Sequence, residues 1–132
     1  MPRPHNLIEH ISDLPGYSPP AHQGTVNRRL VGRDFGAGFE MVLGHIAPGG
    51  EASRHYHAAE AQVVYIIKGE ATVCLGEEEP RRCGPGTVIR IPAGLAHEVV
   101  ASGDAPLECL VIYAPPLSPE GFVEAPRSGA KP

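Results

Sequence analysis

Apolar residues along this chain gather in short runs bounded by glycine and proline, often with both faces of a strand apolar, and no stretch reads as a convincing helix. Gln62 to Ile67, dense in β-branched and aromatic residues, predicts the strongest strand, closed by Lys68-Gly69-Glu70. Further strands are predicted over Asn27 to Val31, Phe39 to Ala47, Ala71 to Leu75, Thr87 to Ile91, His97 to Ala101 and Leu107 to Ala114. Pro48-Gly49-Gly50, Gly84-Pro85-Gly86 and Pro92-Ala93-Gly94 punctuate them. Before about Gly24 the chain reads as an irregular, Pro-rich arm with one short apolar segment at Leu7, Ile8 and Ile11; such arms are pinned across a neighbouring subunit or frayed. From Pro115 to Pro132 it reads as a loose tail, leaving residues 25–114 as the folded domain.

Strands this closely spaced predict an all-β fold, an antiparallel jelly roll or barrel. Both faces of Gln62 to Ile67 are apolar, so one needs the barrel interior and the other a second burial partner, for which a homodimer is expected. Composition agrees: 132 residues make one domain, and 16 glycines and 15 prolines suit tight turns far better than helices. With no tryptophan, the core falls to Val, Ile, Leu and Ala. A net charge of −4 with scattered basic residues argues against nucleic-acid binding, which needs a basic face. Cys74, Cys83 and Cys109 form no Cys-x-x-Cys pair, and an odd set of thiols points to a reducing compartment. The first residues lack an apolar signal core and no run reaches membrane length, so the expected location is the cytoplasm.

The candidate chemistry lies in a set of polar residues inside that apolar frame. His55 and His57 stand one residue apart, Gln62 follows five residues after His57, and His97 comes forty residues after His57. A His-x-His pair on a strand points both rings to one side. Neutral imidazole is the commonest protein metal ligand. Three imidazoles and one amide oxygen from neighbouring strands could therefore hold one divalent transition metal per chain.

The spacing of these residues resembles that of the cupin superfamily. That family's first motif runs Gly, five residues, His-x-His, three or four residues, Glu, six residues, Gly; Gly49, His55, His57, Gln62 and Gly69 fall at those places. Its second motif runs Gly, five residues, Pro-x-Gly, two residues, His, three residues, Asn, matched by Gly86, Pro92, Gly94 and His97, with Ala101 where Asn is usual. The resemblance covers roughly Phe39 to Ala114 and implies a cupin β-barrel, a double-stranded β-helix with the metal near one mouth. Gln62 departs from the family's glutamate, as in small cupins that linearise unsaturated uronates, where the glutamine oxygen still binds metal.

A neutral ligand set leaves the full +2 on the ion. That strengthens it as a Lewis acid and draws carboxylates, keto acids and enolates to its open positions. The leading expectation is an isomerase-, tautomerase- or lyase-type enzyme acting on a small anionic carbonyl compound. An Fe(II) dioxygenase of an aromatic or dicarbonyl substrate and a non-catalytic small-molecule sensor are the alternatives. Fe, Ni, Zn, Mn and Co all suit such a site, and affinity order does not choose among them.

Other residues carry a functional reading beside a plainer one. Glu60 is either a fourth ligand or general base, or a solvated loop acid. Tyr113 either hydrogen-bonds substrate at the barrel mouth or simply packs. Arg28 and Arg29 are adjacent, so one of them could point inward as a pocket residue, and Arg90 is either an inward carboxylate clamp or an interface residue. His45 is a fifth ligand or a structural histidine, while His5, His10 and His22 carry no spacing signal.

Overall fold

The computed structural model describes residues 6–118 and 121–125. Among these residues ten strands follow in order: β1 (Gly16–Tyr17), β2 (His22–Val31), β3 (Glu40–His57), β4 (Ala61–Lys68), β5 (Ala71–Leu75), β6 (Arg81–Cys83), β7 (Val88–Ile91), β8 (His97–Ala101), β9 (Leu107–Ala114) and β10 (Phe122–Glu124). They form one curled antiparallel sheet, ordered β6-β5-β8-β3-β9-β4-β7, with β2 and β10 also on β3 and β1 on β2. This is the expected double-stranded β-helix. No helix among the described residues is long and apolar enough to cross a membrane.

Alternation builds the barrel as the sequence pattern requires. On β4, Gln62, Val64 and Ile66 point inward while Val63, Tyr65 and Ile67 line the outer face. Val42, Ile46, Val73, Ile89, Ile91, Leu107, Cys109 and Val111 complete the interior with them. Each large side chain buried there contributes about 1.5–3 kcal/mol. Gly69 closes the β4–β5 turn at φ 84°, where a Cβ would run into the Pro106 carbonyl oxygen, so only glycine fits. The three cysteines are free, with Cys74 and Cys109 buried.

The two regions expected to be irregular contribute strands. β1 and the first residues of β2 lie within the N-terminal arm, and β10 lies within the C-terminal tail. These are corrections to the sequence reading. Such short strands, with little apolar pattern of their own, are set by pairing partners distant in sequence.

β3 is the central element. The sequence reading ends it at Ala47, yet it continues through Pro48-Gly49-Gly50 because flanking strands carry its pairing onward. β2 pairs Thr25 with Ile46 and Gln23 with Glu51, so residues 47–50 bulge opposite Gly24. A second irregularity follows: from Ala52↔Val99 to His55↔His97, β3 advances three residues (52 to 55) while β8 advances two (99 to 97). That extra residue exchanges the faces of the strand. Val42, Gly44, Ile46 and Ala52, all even-numbered, are buried, and after the bulge the buried residues are His55 and His57.

Candidate metal centre

The bulge delivers both histidines of β3 to the interior, and the ladder sets His97 of β8 directly opposite His55. The Pro92–Gly94 turn is fastened to the same strand, since the Gly94 N–H donates to the His57 carbonyl at 2.8 Å. Ring centroids are 4.4 Å apart for His55 and His97, 4.9 Å for His55 and His57, and 5.7 Å for His57 and His97. One nitrogen from each ring lies within 4.8 Å of the others.

Tautomers follow from the backbone. Nδ1 of His55 lies 2.6 Å from the Ser53 carbonyl oxygen and Nδ1 of His97 lies 3.0 Å from that of Leu95. A carbonyl only accepts, so both Nδ1 atoms carry the proton and both Nε2 atoms keep a lone pair. Burial holds all three rings below the ordinary histidine pKa, with His57 and His97 at about 4, so they are neutral at neutral pH.

Both nitrogens of His57, Nε2 of His97 and Oε1 of Gln62 are buried without a hydrogen-bond partner. Each such atom costs about 1–3 kcal/mol. One of the two His57 nitrogens, Nε2 of His97 and Oε1 of Gln62 offer unpartnered lone pairs that fit a divalent cation, with His55, His57, His97 and Gln62 the residues that would hold it. Gln62 reaches the site because it shares the inward phase of Val64 and Ile66.

Two cavities flank these residues. An outer one of about 850 Å³ is bounded by His55, His57, Tyr17, Tyr113, Leu117 and Phe122, with Arg29, Arg33, Asp34 and Glu40 also on its walls. An inner one of about 50 Å³ lies on the barrel side, bounded by His55, His97, Gln62 and core aliphatics. Tyr113 borders both, its ring 5.5 Å from that of His57. Burial raises its pKa far above the ordinary tyrosine value, so the phenol stays protonated.

The remaining sequence candidates divide. Arg29 borders the outer cavity but is held by buried Glu40 at 2.9 Å, with its guanidinium 4.7 Å from the Tyr17 ring centre. Arg28 donates Nε to the Leu14 carbonyl at 3.2 Å and so secures the N-terminal arm. Arg90 is exposed on β7. His45 is exposed, 3.9 Å from Glu108; it lies before the bulge, so its odd number puts it on the outer face and it is no fifth ligand. Glu60 precedes β4 and is free of its phase. It is buried and borders neither cavity; its Oε2 accepts the Ser118 N–H at 3.1 Å, which gives it a hold on the C-terminal segment, while Oε1 has no hydrogen-bond partner among the described residues.

Sequence reasoning missed His22 and Phe122. His22 borders both cavities, its ring centroid 6.3 Å from that of His55, and Nδ1 lies 3.1 Å from Thr25 Oγ1. Burial, then His55, lower its pKa to about 4. Phe122 stacks on His55 at 4.8 Å with an interplanar angle of 27°. Neither carries a local signal, because each arrives through long-range pairing with β3.

Comparison with known proteins agrees with this architecture. The family model for the cupin domain matches residues 42–113. Auxin-binding protein 1 of Arabidopsis thaliana is 31% identical over 122 residues, 83% of this chain and 60% of that protein. Tetracenomycin polyketide synthase protein TcmJ of Streptomyces glaucescens is 30% identical over 103 residues, covering 76% of this chain and 68% of that one. The polyketide cyclase RemF from Streptomyces resistomycificus superposes with a TM-score of 0.77 at 22% identity, over 92% of this chain and 86% of that chain. The chain spans 34% to 60% of the length of the first curated relatives it matches.

Proposed function

The chain belongs to the cupin domain family, and from that premise we propose that it is a divalent-metal enzyme of the isomerase, cyclase or lyase type acting on an enolisable carbonyl compound. One observation carries this reading: His55, His57 and His97 form one buried cluster in which His57 and His97 keep unpartnered nitrogens, and His55 and His57 border the outer cavity. A divalent ion held there supplies Lewis-acid polarisation of a carbonyl oxygen. The neutral ligand set favours keto acids, uronates and β-dicarbonyls, whose anionic or enolic oxygens seek an unneutralised cation. At about 850 Å³, with Tyr17, Tyr113, Leu117 and Phe122 on its walls, the outer cavity also has room for an apolar body beyond a small keto acid. The fold shared with the polyketide cyclase RemF fits a cyclising reaction.

Within this reading the Tyr113 hydroxyl donates a hydrogen bond to a substrate oxygen. His22, neutral and bordering both cavities, accepts the proton released next to the carbonyl. Arg29 and Arg33 line the mouth. A second reading, Fe(II)-dependent dioxygenation, is favoured by the inner cavity, whose roughly 50 Å³ beside the ligand nitrogens would admit a diatomic gas. The half-buried outer residues Val63, Ile67, Leu110 and Ile112, with exposed Tyr65 and Val88, support a homodimer through this face.

Protein purified without chelators is expected to hold about one divalent ion per chain by elemental analysis, and His57→Ala to hold none. The loaded protein should accelerate hydrogen–deuterium exchange next to the carbonyl of β-dicarbonyls or keto acids, read by NMR. Failure to take up an ion after reconstitution, or exchange no faster than with the free ion, overturns the proposal. Oxygen uptake that appears with Fe(II) and vanishes with Zn(II) would favour the second reading. Light scattering should give a dimer mass, lost in Tyr65→Lys.

A further inference from the structure

After β9 the chain turns back across the mouth, and charged residues from three places hold it there. The Leu117 N–H donates to Glu40 Oε1 at 3.0 Å and the Ser118 N–H to Glu60 Oε2 at 3.1 Å. Arg33 donates to the carbonyls of Pro116 at 3.0 Å and Leu117 at 2.6 Å. Glu40 and Glu60 are 4% and 2% exposed. Burying a carboxylate is costly, and these two are placed against successive backbone amides of one short segment.

Beyond it β10 pairs with the ligand strand itself, Phe122 opposite His57 and Glu124 opposite His55. The Ala58 N–H donates to the Gly121 carbonyl at 2.8 Å, and the Ala125 N–H to that of Arg54 at 3.2 Å. Gly121 passes so close to Glu60 that a Cβ would lie 2.9 Å from its Oε1. A segment serving only to finish the sheet would send its aromatic side chain into the core. Phe122 lies outside the core cluster, against the rings of His55 and His57, and borders the outer cavity.

We propose that residues 116–118 and 121–125 are a wall built onto the metal site, in which Phe122 is a specificity-determining residue that holds an apolar or aromatic substrate body beside the ligand histidines, and Glu60 is a positioning residue acting through Ser118 and Gly121. The proposal rests on the carbonyl reading only for where the substrate's reactive end lies. Stacking on Phe122 discriminates by the shape of the body rather than by charge.

Cobalt-loaded full-length protein offers a test, with two β-diketones sharing a chelating end, acetylacetone and its phenyl analogue benzoylacetone. Dissociation constants follow from the visible cobalt spectrum. The wild type should prefer benzoylacetone. Phe122→Ala should reduce that preference about fivefold to tenfold, with acetylacetone affinity and cobalt stoichiometry unchanged. Glu60→Ala should lose the same preference and speed amide exchange at Ala58 and Ala125. Glu60→Gln, whose amide oxygen still accepts the Ser118 N–H, should restore both. An unchanged preference in Phe122→Ala, or loss of cobalt from it, overturns the specificity role; protected amides in Glu60→Ala overturn the positioning role. If the wild type binds neither diketone, the carbonyl reading is what fails, and amide exchange still decides whether Glu60 holds the wall.

Discussion

Replacing His57 with leucine should make the metal-free protein more stable while abolishing metal binding. Both nitrogens of the His57 ring are buried and unpartnered. At about 1–3 kcal/mol for each stranded polar atom, the ring burdens the metal-free fold by about 2–6 kcal/mol. Leucine has similar volume and no polar atom. It forfeits ring contacts to Tyr113 and Phe122, at 5.5 and 6.0 Å, together worth about 1–2 kcal/mol. The net expectation spans about 0–5 kcal/mol and centres on a gain of about 2–3 kcal/mol, or several degrees in Tm. Metal reverses the order: an ion at a thousand times its Kd adds about 4 kcal/mol to the wild type and nothing to the variant. Urea titrations of both proteins, with chelator and with Zn(II), read all four stabilities. A metal-free variant that loses the 2–5 kcal/mol typical of a core truncation would refute the reasoning, because the nitrogens would then be satisfied in solution.

Three further outcomes follow from the same structure. Stability of the metal-free protein should be flat above about pH 6.5 and fall by a few kcal/mol towards pH 4. His22, His57 and His97 have folded pKa values of about 4 against 6.5, so the unfolded chain binds more protons in that window; a urea midpoint constant from pH 7 to 4 contradicts this. His45→Ala should change stability by less than about 0.5 kcal/mol and leave elemental metal content untouched, because that ring faces outward beside Glu108. Gly69→Ala should lower stability by about 2 kcal/mol or more in thermal melts, since its φ of 84° and the Pro106 carbonyl both exclude a Cβ.

Much of the fold was legible because its strongest signals are local. Gln62 to Ile67 is legible as a strand, and because strand side chains alternate between faces Gln62 shares one with Val64 and Ile66, as the structure has it. The turn residues around His97 foretold a tight connection, now seen tied to His57. What could not be read depends on register between distant segments. A one-residue bulge before His55 leaves no mark in composition, yet it sends His45 outward and His57 inward although both are odd-numbered on one strand. Glu60 had the inward phase of β4 by counting, but phase has no meaning outside the ladder, and β4 begins at Ala61. His22 and Phe122 reach the site from stretches without a rhythm of their own, through pairing with Ala52 and His57.

β3 touches β2, β8, β9 and β10, and this shared strand sets the order of events in time. On a ribosome His55 and His57 emerge more than sixty residues before Phe122, with His97 between them (122 − 57 = 65). Their long-range neighbours are the slow kind of contact to form, so the ligand trio has no fixed geometry until the later strands have docked. Under the proposed metal reading, loading would then follow translation and be limited by the last strands to arrive. The cobalt spectrum of refolding protein should accordingly develop no faster than protection of the Ala58 amide, which needs the Gly121 carbonyl in place. Cobalt colour that precedes that protection would show the ligands assembling early.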